Sequence, residues 1–210
     1  MDAQRLRMEA ETPVAATTRD LAEVAGMLSD AFADDPQMNW FLRPDWRRDA
    51  ARRVLFSQLV PDGFRHGRID RPASGGAAAI WMPFEWVRPD PLVVVLAGAI
   101  AMAPITGLAR ASRLVSIRRD MDRHHPRDRR HAYLWFLGVA PAAQGHGIGS
   151  ALLRAAHARL DAERLPAYLE TATARNVALY ARHGYRVISE HRARPDAPPI
   201  WSMWREPSGD

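Results

Sequence analysis

Cysteine and lysine are both missing from this chain of 210 residues. Without a thiol there is no disulfide, no zinc-thiolate centre and no cysteine nucleophile. Without lysine there is no Gly-Lys-Ser/Thr loop, which closes the P-loop route to nucleotide hydrolysis. An apolar leader is missing too: Met1 to Thr18 carries Arg5, Arg7, Glu9 and Glu11 with no apolar core segment. That is not a secretory signal, and the expected location is the cytoplasm.

What is present is a large apolar fraction, 47% of residues. It is enough for one compact domain over residues 1–210, with a helical insertion expected at about 88–126. The formal net charge is +5, and all 29 basic residues are arginine. A basic balance makes nucleic acid the first partner to consider. The arginines are spread along the whole chain and form no concentrated patch, so no nucleic-acid partner is expected. Pro91 to Ala109 has no charged residue, and its strongly apolar part, Leu92 to Ala103, approaches the length of a membrane span. Gly98, Pro104 and Gly107 interrupt it, and it lies between two segments that read as neighbouring strands. A buried helical insertion is expected, with no stable membrane insertion.

Hydrophobic spacing sets the order of elements. Val14 to Ala16 reads as a short strand and Leu21 to about Ala33 as a helix, broken by Asp34, Asp35 and Pro36. A second helix is expected from Trp46 to Phe64, with Val54, Leu55, Leu59 and Val60 inward and Pro61 interrupting or ending its regular part. Gly75-Gly76 reads as a hairpin turn before a strand over Ala77 to Met82. Leu108 to His124 has Leu114, Ile117 and Met121 on one side and arginines on the other, an amphipathic helix. His131 to Val139 is a nearly continuous apolar run, as in a strand covered on both faces. Then come a helix (Ser150 to Leu160), a strand (Pro166 to Glu170), a helix (Asn176 to His183) and two strands (Tyr185 to Glu190, Ile200 to Trp204). This alternation makes the fold α/β or α+β.

The most informative stretch runs from Leu137-Gly138-Val139 through Gln144-Gly145-His146-Gly147-Ile148-Gly149-Ser150. A strand ends in a glycine-rich turn that opens a helix. Glycine permits close backbone approach, and the free amides and dipole of a helix start favour an anion. A phosphate or pyrophosphate cradle follows. The dinucleotide fingerprint fits poorly, because Ser150 is a poor match for its third small residue and no clear βαβ unit with a ribose-binding acid follows.

Gln144-x-x-Gly147-x-Gly149 after an apolar strand resembles the acetyl-coenzyme A loop of the GNAT acetyltransferases. Asn176, Tyr180 four residues later, and Gly184-Tyr185 resemble the family's second motif, in the right order. Leu169-Glu170-Thr171, Arg175-Asn176 and Trp201-Ser202-Met203-Trp204-Arg205 resemble the branch that contains puromycin N-acetyltransferase. The strong resemblance covers residues 130 to 206. It implies a mixed central sheet, splayed at the cofactor site, with helices on both faces. It implies an acetyl-coenzyme A-dependent N-acetyltransferase that acts on a primary amine of a small molecule by direct transfer in a ternary complex. The cofactor's phosphates are a second reason for a modest positive charge.

The resemblance also implies a division of labour. Main-chain groups of Leu137, Gly138 and Val139 would pair with the pantetheine arm, as an added strand does. Gln144, Gly145, His146, Gly147, Ile148, Gly149 and Ser150 would hold the pyrophosphate, and Asn176 would contact the cofactor arm. Tyr180 would protonate the departing thiolate. Glu170, at a strand end near the splay, is the candidate to accept the amine's proton, against an ordinary salt bridge. Phe32, Asp35, Trp81, Tyr133 and Trp135 are the candidate acceptor pocket, with Trp40, Asp34 and Glu85 as further candidates; packing and helix capping are the alternative for each. His124-His125-Pro126 resembles a metal-binding fragment, but no third ligand stands out and no metal is expected. Two other functions stay open: an acetyl-coenzyme A sensor without turnover, and a basic nucleic-acid or membrane-surface protein. A monomer or a homodimer fits equally.

Overall fold

The computed structural model describes residues 2–86 and 102–209. The expected buried insertion lies outside the described residues up to residue 101. Seven strands form one mixed sheet in the order β1-β2-β3-β4-β5-β7-β6. They are β1 (Val14–Ala15), β2 (Arg68–Arg71), β3 (Ala77–Pro83), β4 (Ala132–Val139), β5 (Ala167–Thr171), β6 (Arg186–His191) and β7 (Ile200–Arg205). Only β4 and β5 pair in parallel; every other neighbour is antiparallel. β3 and β4 are adjacent, so both ends of the insertion return to neighbouring strands.

Alternation along the strands builds two cores. Ala77, Ala79, Leu134 and Leu169 face α1 (Ala3–Glu11) and α7 (Ile148–Ala162), packing on Leu6, Leu152 and Leu153. Ala78, Ile80, Phe136 and Tyr168 face the other way. There they meet α2 (Leu21–Ala31), α3 (Pro36–Phe41), α4 (Arg48–His66) and α6 (Ala111–His124), through Leu28, Phe41, Phe56 and Ile117. A sheet covered on both faces explains the uninterrupted apolar character of β4. The remaining helices are α5 (Ala103–Thr106) and α8 (Ala174–Ala181).

Three expectations need correction. α4 is neither interrupted nor ended at Pro61 but runs through it to His66. Proline removes one backbone bond, yet Val60 and Gly63 are buried beside it, and a side chain at Gly63 would strike Ile80 at 2.7 Å. This packing holds the helix past the break. The buried face of α4 is Ala51, Leu55, Phe56, Val60 and Gly63, and Val54 points to solvent. Asp35-Pro36 does not merely break a helix; it starts α3, with the Asp35 carboxylate accepting from the Met38 amide at 2.8 Å.

One irregularity shapes the centre of the sheet. Trp81 pairs with Leu134 and Ile80 with Phe136, leaving Trp135 unopposed. This β-bulge turns Trp135 toward the same core as Tyr133 and Phe136 and bends the strand. Pairing of β4 with β5 stops at the same place: Ala132, Tyr133 and Leu134 oppose Ala167, Tyr168 and Leu169, and no pair follows. Past that point α2 crowds β4, and a Cβ on Gly138 would meet Leu28 at 2.5 Å and Ala31 at 3.2 Å. Gly138→Ala is expected to destabilise the fold by about 1–3 kcal/mol through overpacking. Urea unfolding should show a lower midpoint with an unchanged slope.

Candidate active site

Leu137, Gly138 and Val139 lie on the splayed half of β4, paired with β3 on one side. On the β5 side the main-chain groups of Leu137 and Val139 face a gap between strands, while Gly138 turns its own toward Ala78 of β3. One of these groups is partly covered, since the Gln144 side-chain amide donates to the Val139 carbonyl at 3.1 Å.

The turn after β4 reaches α7 through Gly145 and Gly147, at φ +82° and +78°. Only glycine adopts such angles without strain. Gly147 is the N-cap of α7, and its carbonyl accepts from the Ala151 amide at 3.0 Å. The amides of Ile148, Gly149 and Ser150 precede the first intrahelical acceptor and open outward, as at any helix start. The Ile148 side chain itself is core, 1% exposed. His146 is committed to the turn through Nδ1, 2.9 Å from the Gln144 carbonyl oxygen. The Ser150 hydroxyl lies 2.9 Å from His183 Nε2.

Beside this turn lies a cleft of about 520 Å³ lined by Gln4, Arg7, Gly145, Gly147, Ser150 and Arg154. Its two arginines were not foreseen. Arg154 follows Ser150 by four residues and shares its helix face, a spacing that the sequence does display. Arg7 arrives on α1, whose contact with α7 no local pattern announces. Glu11 lies between them, 3.6 Å from Arg154 and 4.0 Å from Arg7, with all three side chains about half exposed. The donor set is open helix-start amides and two guanidinium groups at a glycine turn. It fits a diphosphate in charge and shape.

Glu170 stands near the end of β5, just beyond the last residues that pair with β4. Tyr133 donates to its Oε2 and Tyr168 to its Oε1, each at 2.8 Å. Among the described residues it has no salt-bridge partner. Burial pushes its carboxyl up to about 7; the two phenols pull down, and the charges of Asp120 and Asp122 push up. Burial, with the Glu170 charge added, raises both phenols well above the ordinary tyrosine range. A carboxyl in this setting takes and gives a proton near neutrality.

Tyr180 is 7% exposed on α8, its ring 5.8 Å from that of Tyr185. Burial first, then the Asp35 charge, pushes its phenol up, so it holds its proton. Asp35 therefore stands close enough to influence Tyr180, and burial raises its own carboxyl as well. Asn176 lies one turn before Tyr180 on the same helix.

The five acceptor-pocket candidates do not share one wall. Phe32, Tyr133 and Trp135 belong to the core on the α2–α4 face. Phe32 packs its ring on Phe56 and Phe136, and Trp135 meets Trp86 at a tilt of 54° with centroids 4.8 Å apart. Trp81 lies on the opposite face, against α7, and its ring meets His157. The register explains this: Trp81 opposes Leu134, not Tyr133. Trp40 is also core. Glu85 is ion-paired with Arg130 at 2.8 Å.

The adjacent histidines divide. His125 is buried, its Nε2 3.1 Å from His131 Nε2. Burial holds both imidazoles low, His125 at about 3. His124 does find further metal-type groups, since Asp120, His124 and His191 place donor atoms within 4.8 Å of one another. Neither Asp120 nor His191 stands out in the sequence as a partner of His124; the fold alone brings them together. The two imidazoles, however, lie face to face at 3.7 Å and 7°. Parallel rings aim their lone pairs side by side and not at one point.

Comparison with known proteins adds to this geometry. The model of the acetyltransferase (GNAT) family matches residues 76–185. A mycothiol acetyltransferase of Jonesia denitrificans is 28% identical over 167 residues, 68% of this chain and 49% of the relative. The chain thus spans about half the length of that curated relative. A Corynebacterium glutamicum structure, described as histone acetyltransferase HPA2 and related acetyltransferase, superposes with a TM-score of 0.68 at 28% identity. The match covers 94% of this chain and 97% of that one. The Drosophila melanogaster polyamine N-acetyltransferase shares the fold, with a TM-score of 0.59, 16% identity and coverage of 92% and 99%.

Proposed function

The chain belongs to the acetyltransferase (GNAT) family, and on that premise we propose that it moves an acetyl group from acetyl-coenzyme A to a primary amine of a small molecule, by direct transfer in a ternary complex. The observation that carries the reading is the strand splay that runs into a left-handed glycine turn, with Arg7 and Arg154 beside it. Within the family, Leu169-Glu170-Thr171 and Trp201-Ser202-Met203-Trp204-Arg205 favour the neighbourhood of puromycin N-acetyltransferase. The whole of residues 1–210 is taken as one domain with its insertion at 88–126, acting in the cytoplasm as a monomer or homodimer. No helix of the described residues is long and apolar enough to cross a membrane.

Acetyl-coenzyme A, when bound, supplies an activated thioester. The amides of Gly145 to Ser150 and the two guanidinium groups hold its diphosphate. The free edge of Leu137 to Val139 aligns the arm, with Gln144 releasing the Val139 carbonyl and Asn176 contacting the arm. Glu170, a carboxylate above about pH 7, takes the proton that the ammonium must lose. Tyr180, protonated throughout, holds a proton for the departing sulfur. Asp35, Phe32, Tyr133 and Trp135 lie on the acceptor side. The second reading is a sensor that binds acetyl-coenzyme A without turnover. A base near neutrality and a protonated phenol favour the enzyme.

A thiol-release assay with acetyl-coenzyme A against arylalkylamines, polyamines, aminonucleosides and peptide amines tests turnover; no release with any of them would leave the sensor. Cofactor binding has its own test. Gly147→Val forces a β-branched residue to φ +78°. The left-handed penalty corresponds to a loss of affinity of about tenfold or more. Unchanged binding in a calorimetric titration of the folded variant would remove the loop from the site.

A further inference from the structure

Glu170 receives one proton per turnover in the reading above and must lose it again. In that reading the amine occupies the side by which the proton arrives. Its other contacts lead elsewhere. The Tyr168 hydroxyl, 2.8 Å from Glu170 Oε1, is also 3.0 Å from Ser202 Oγ. Ser202 Oγ is 3.0 Å from His191 Nε2. His191 Nδ1 is 2.6 Å from Asp120 Oδ2. The line crosses β5, β7 and β6 and ends on α6, where the His124 ring lies flat on His191. Tyr168 and Ser202 are completely buried, and Asp120 and the His191 side chain nearly so. The His124 side chain is 28% exposed. Four polar groups are thus strung through the protein with every step at hydrogen-bond distance.

We propose that Tyr168, Ser202 and His191 form a proton relay that carries the proton taken up by Glu170 to the Asp120–His124 surface; this rests on Glu170 being the base. Ser202, His191 and Asp120 have the distances of a serine–histidine–acid triad. The serine is sealed from any substrate, however, and its hydroxyl meets a phenol. The arrangement therefore activates a proton path and not a nucleophile.

The transfer balances. At the start Glu170 is a carboxylic acid that donates to Tyr168, Tyr168 donates to Ser202, and Ser202 donates to His191 Nε2. His191 is neutral, with its Nδ1 proton on the Asp120 carboxylate. Glu170 gives its proton to the Tyr168 oxygen, Tyr168 gives its own to Ser202, and Ser202 gives its own to Nε2. Each hydroxyl breaks one O–H bond and forms another. Glu170 ends as a carboxylate and His191 as an imidazolium facing Asp120, which then releases a proton to water at the His124 edge. The relay residues act through Glu170, and none touches the substrate. Burial keeps His191 low despite Asp120, with the His124 charge acting in the same direction. A proton that reaches His191 is therefore held loosely and passed on. The groups facing the path are Tyr133 from β4, Tyr168 from β5, Ser202 from β7, and Asp120, Asp122, Arg118, Arg123 and His124 from α6, with His125 at the end of α6 and His131 before β4 packed on the Tyr168 ring.

The test uses the full chain with Ser202→Ala and His191→Gln, each checked for folding by its melting transition. The primary readout is NMR of the protein alone: the Glu170 carboxyl carbon and the His191 ring nitrogens followed against pH. In the wild type each titration should show a second inflection at the other group's pKa. In Ser202→Ala the second inflection should vanish from the Glu170 curve, although Ser202 makes no hydrogen bond to the Glu170 carboxyl. Independent titrations in the wild type would overturn the relay. A wild type that shows this coupling but releases no thiol with any amine would overturn the acetyltransferase reading and leave the path standing. With the amine accepted fastest, both variants should lose about tenfold or more in kcat near pH 7, a part of the full acid–base contribution. The loss should come with unchanged acetyl-coenzyme A affinity and recovery as imidazole buffer is raised. A folded variant with normal kcat and no buffer dependence would also overturn it.

Discussion

Glu170→Gln is expected to lower turnover by about 10²–10⁴-fold, the usual contribution of a general base. In the wild type, activity should rise with pH through about 7, because only the carboxylate accepts the amine's proton. The variant should stay low and lose that limb. Stability supplies an independent check. The folded pKa is raised above the ordinary 4.5, so the native state binds the proton more tightly than the unfolded chain. Its stability then falls as pH rises from about 4.5 to about 7. Glutamine carries no charge to bury, so urea unfolding of the variant should lack this decline. A variant with wild-type turnover would remove Glu170 as the base. One with the same pH dependence of unfolding would remove the burial argument.

Tyr180→Phe deletes one hydroxyl and keeps a ring that packs with Tyr185. If the phenol protonates the departing thiolate, kcat and kcat/KM should fall together by about 10²–10⁴-fold, with cofactor affinity and melting temperature nearly unchanged. A hydroxyl serving only structure gives the opposite pattern: a stability loss of roughly 1–3 kcal/mol and an intact rate per folded molecule. Melting and steady-state rates on one preparation separate the two.

The parts of the fold that the sequence displays are those whose own chemistry decides their shape. β4 is an apolar run long enough to declare itself, and the glycines after it declare the turn and the start of α7. Elements that depend on distant partners stay silent. α1 buries only Leu6 and Ala10 and gains its surface from α7. β2 reads Arg-Ile-Asp-Arg, and its fully buried Asp70 is intelligible only with Arg68 and Arg159 around it. The same division holds at the site. Glu170, Asn176, Tyr180 and the loop stand out because spacing and family pattern mark them. The Trp81 side could not be read, because strand parity depends on a register that one bulge alters. The approach of His191 to Asp120, 71 residues away, is a product of tertiary structure alone.

The gap beside Leu137 to Val139 can be seen as an edge strand hidden in the middle of a sheet. Edges usually lie at a sheet's margins, where unpaired amides and carbonyls invite foreign chains, and proteins blunt them with charge, proline or a covering loop. Here the open edge is moved inward, between two strands of the same sheet, and the Gln144 side chain covers one of its carbonyls. A slot of that kind admits a slim chain with amide groups and excludes a whole β-strand with side chains on both faces. The protein thus keeps the hydrogen-bonding capacity of an edge while shielding it from self-association.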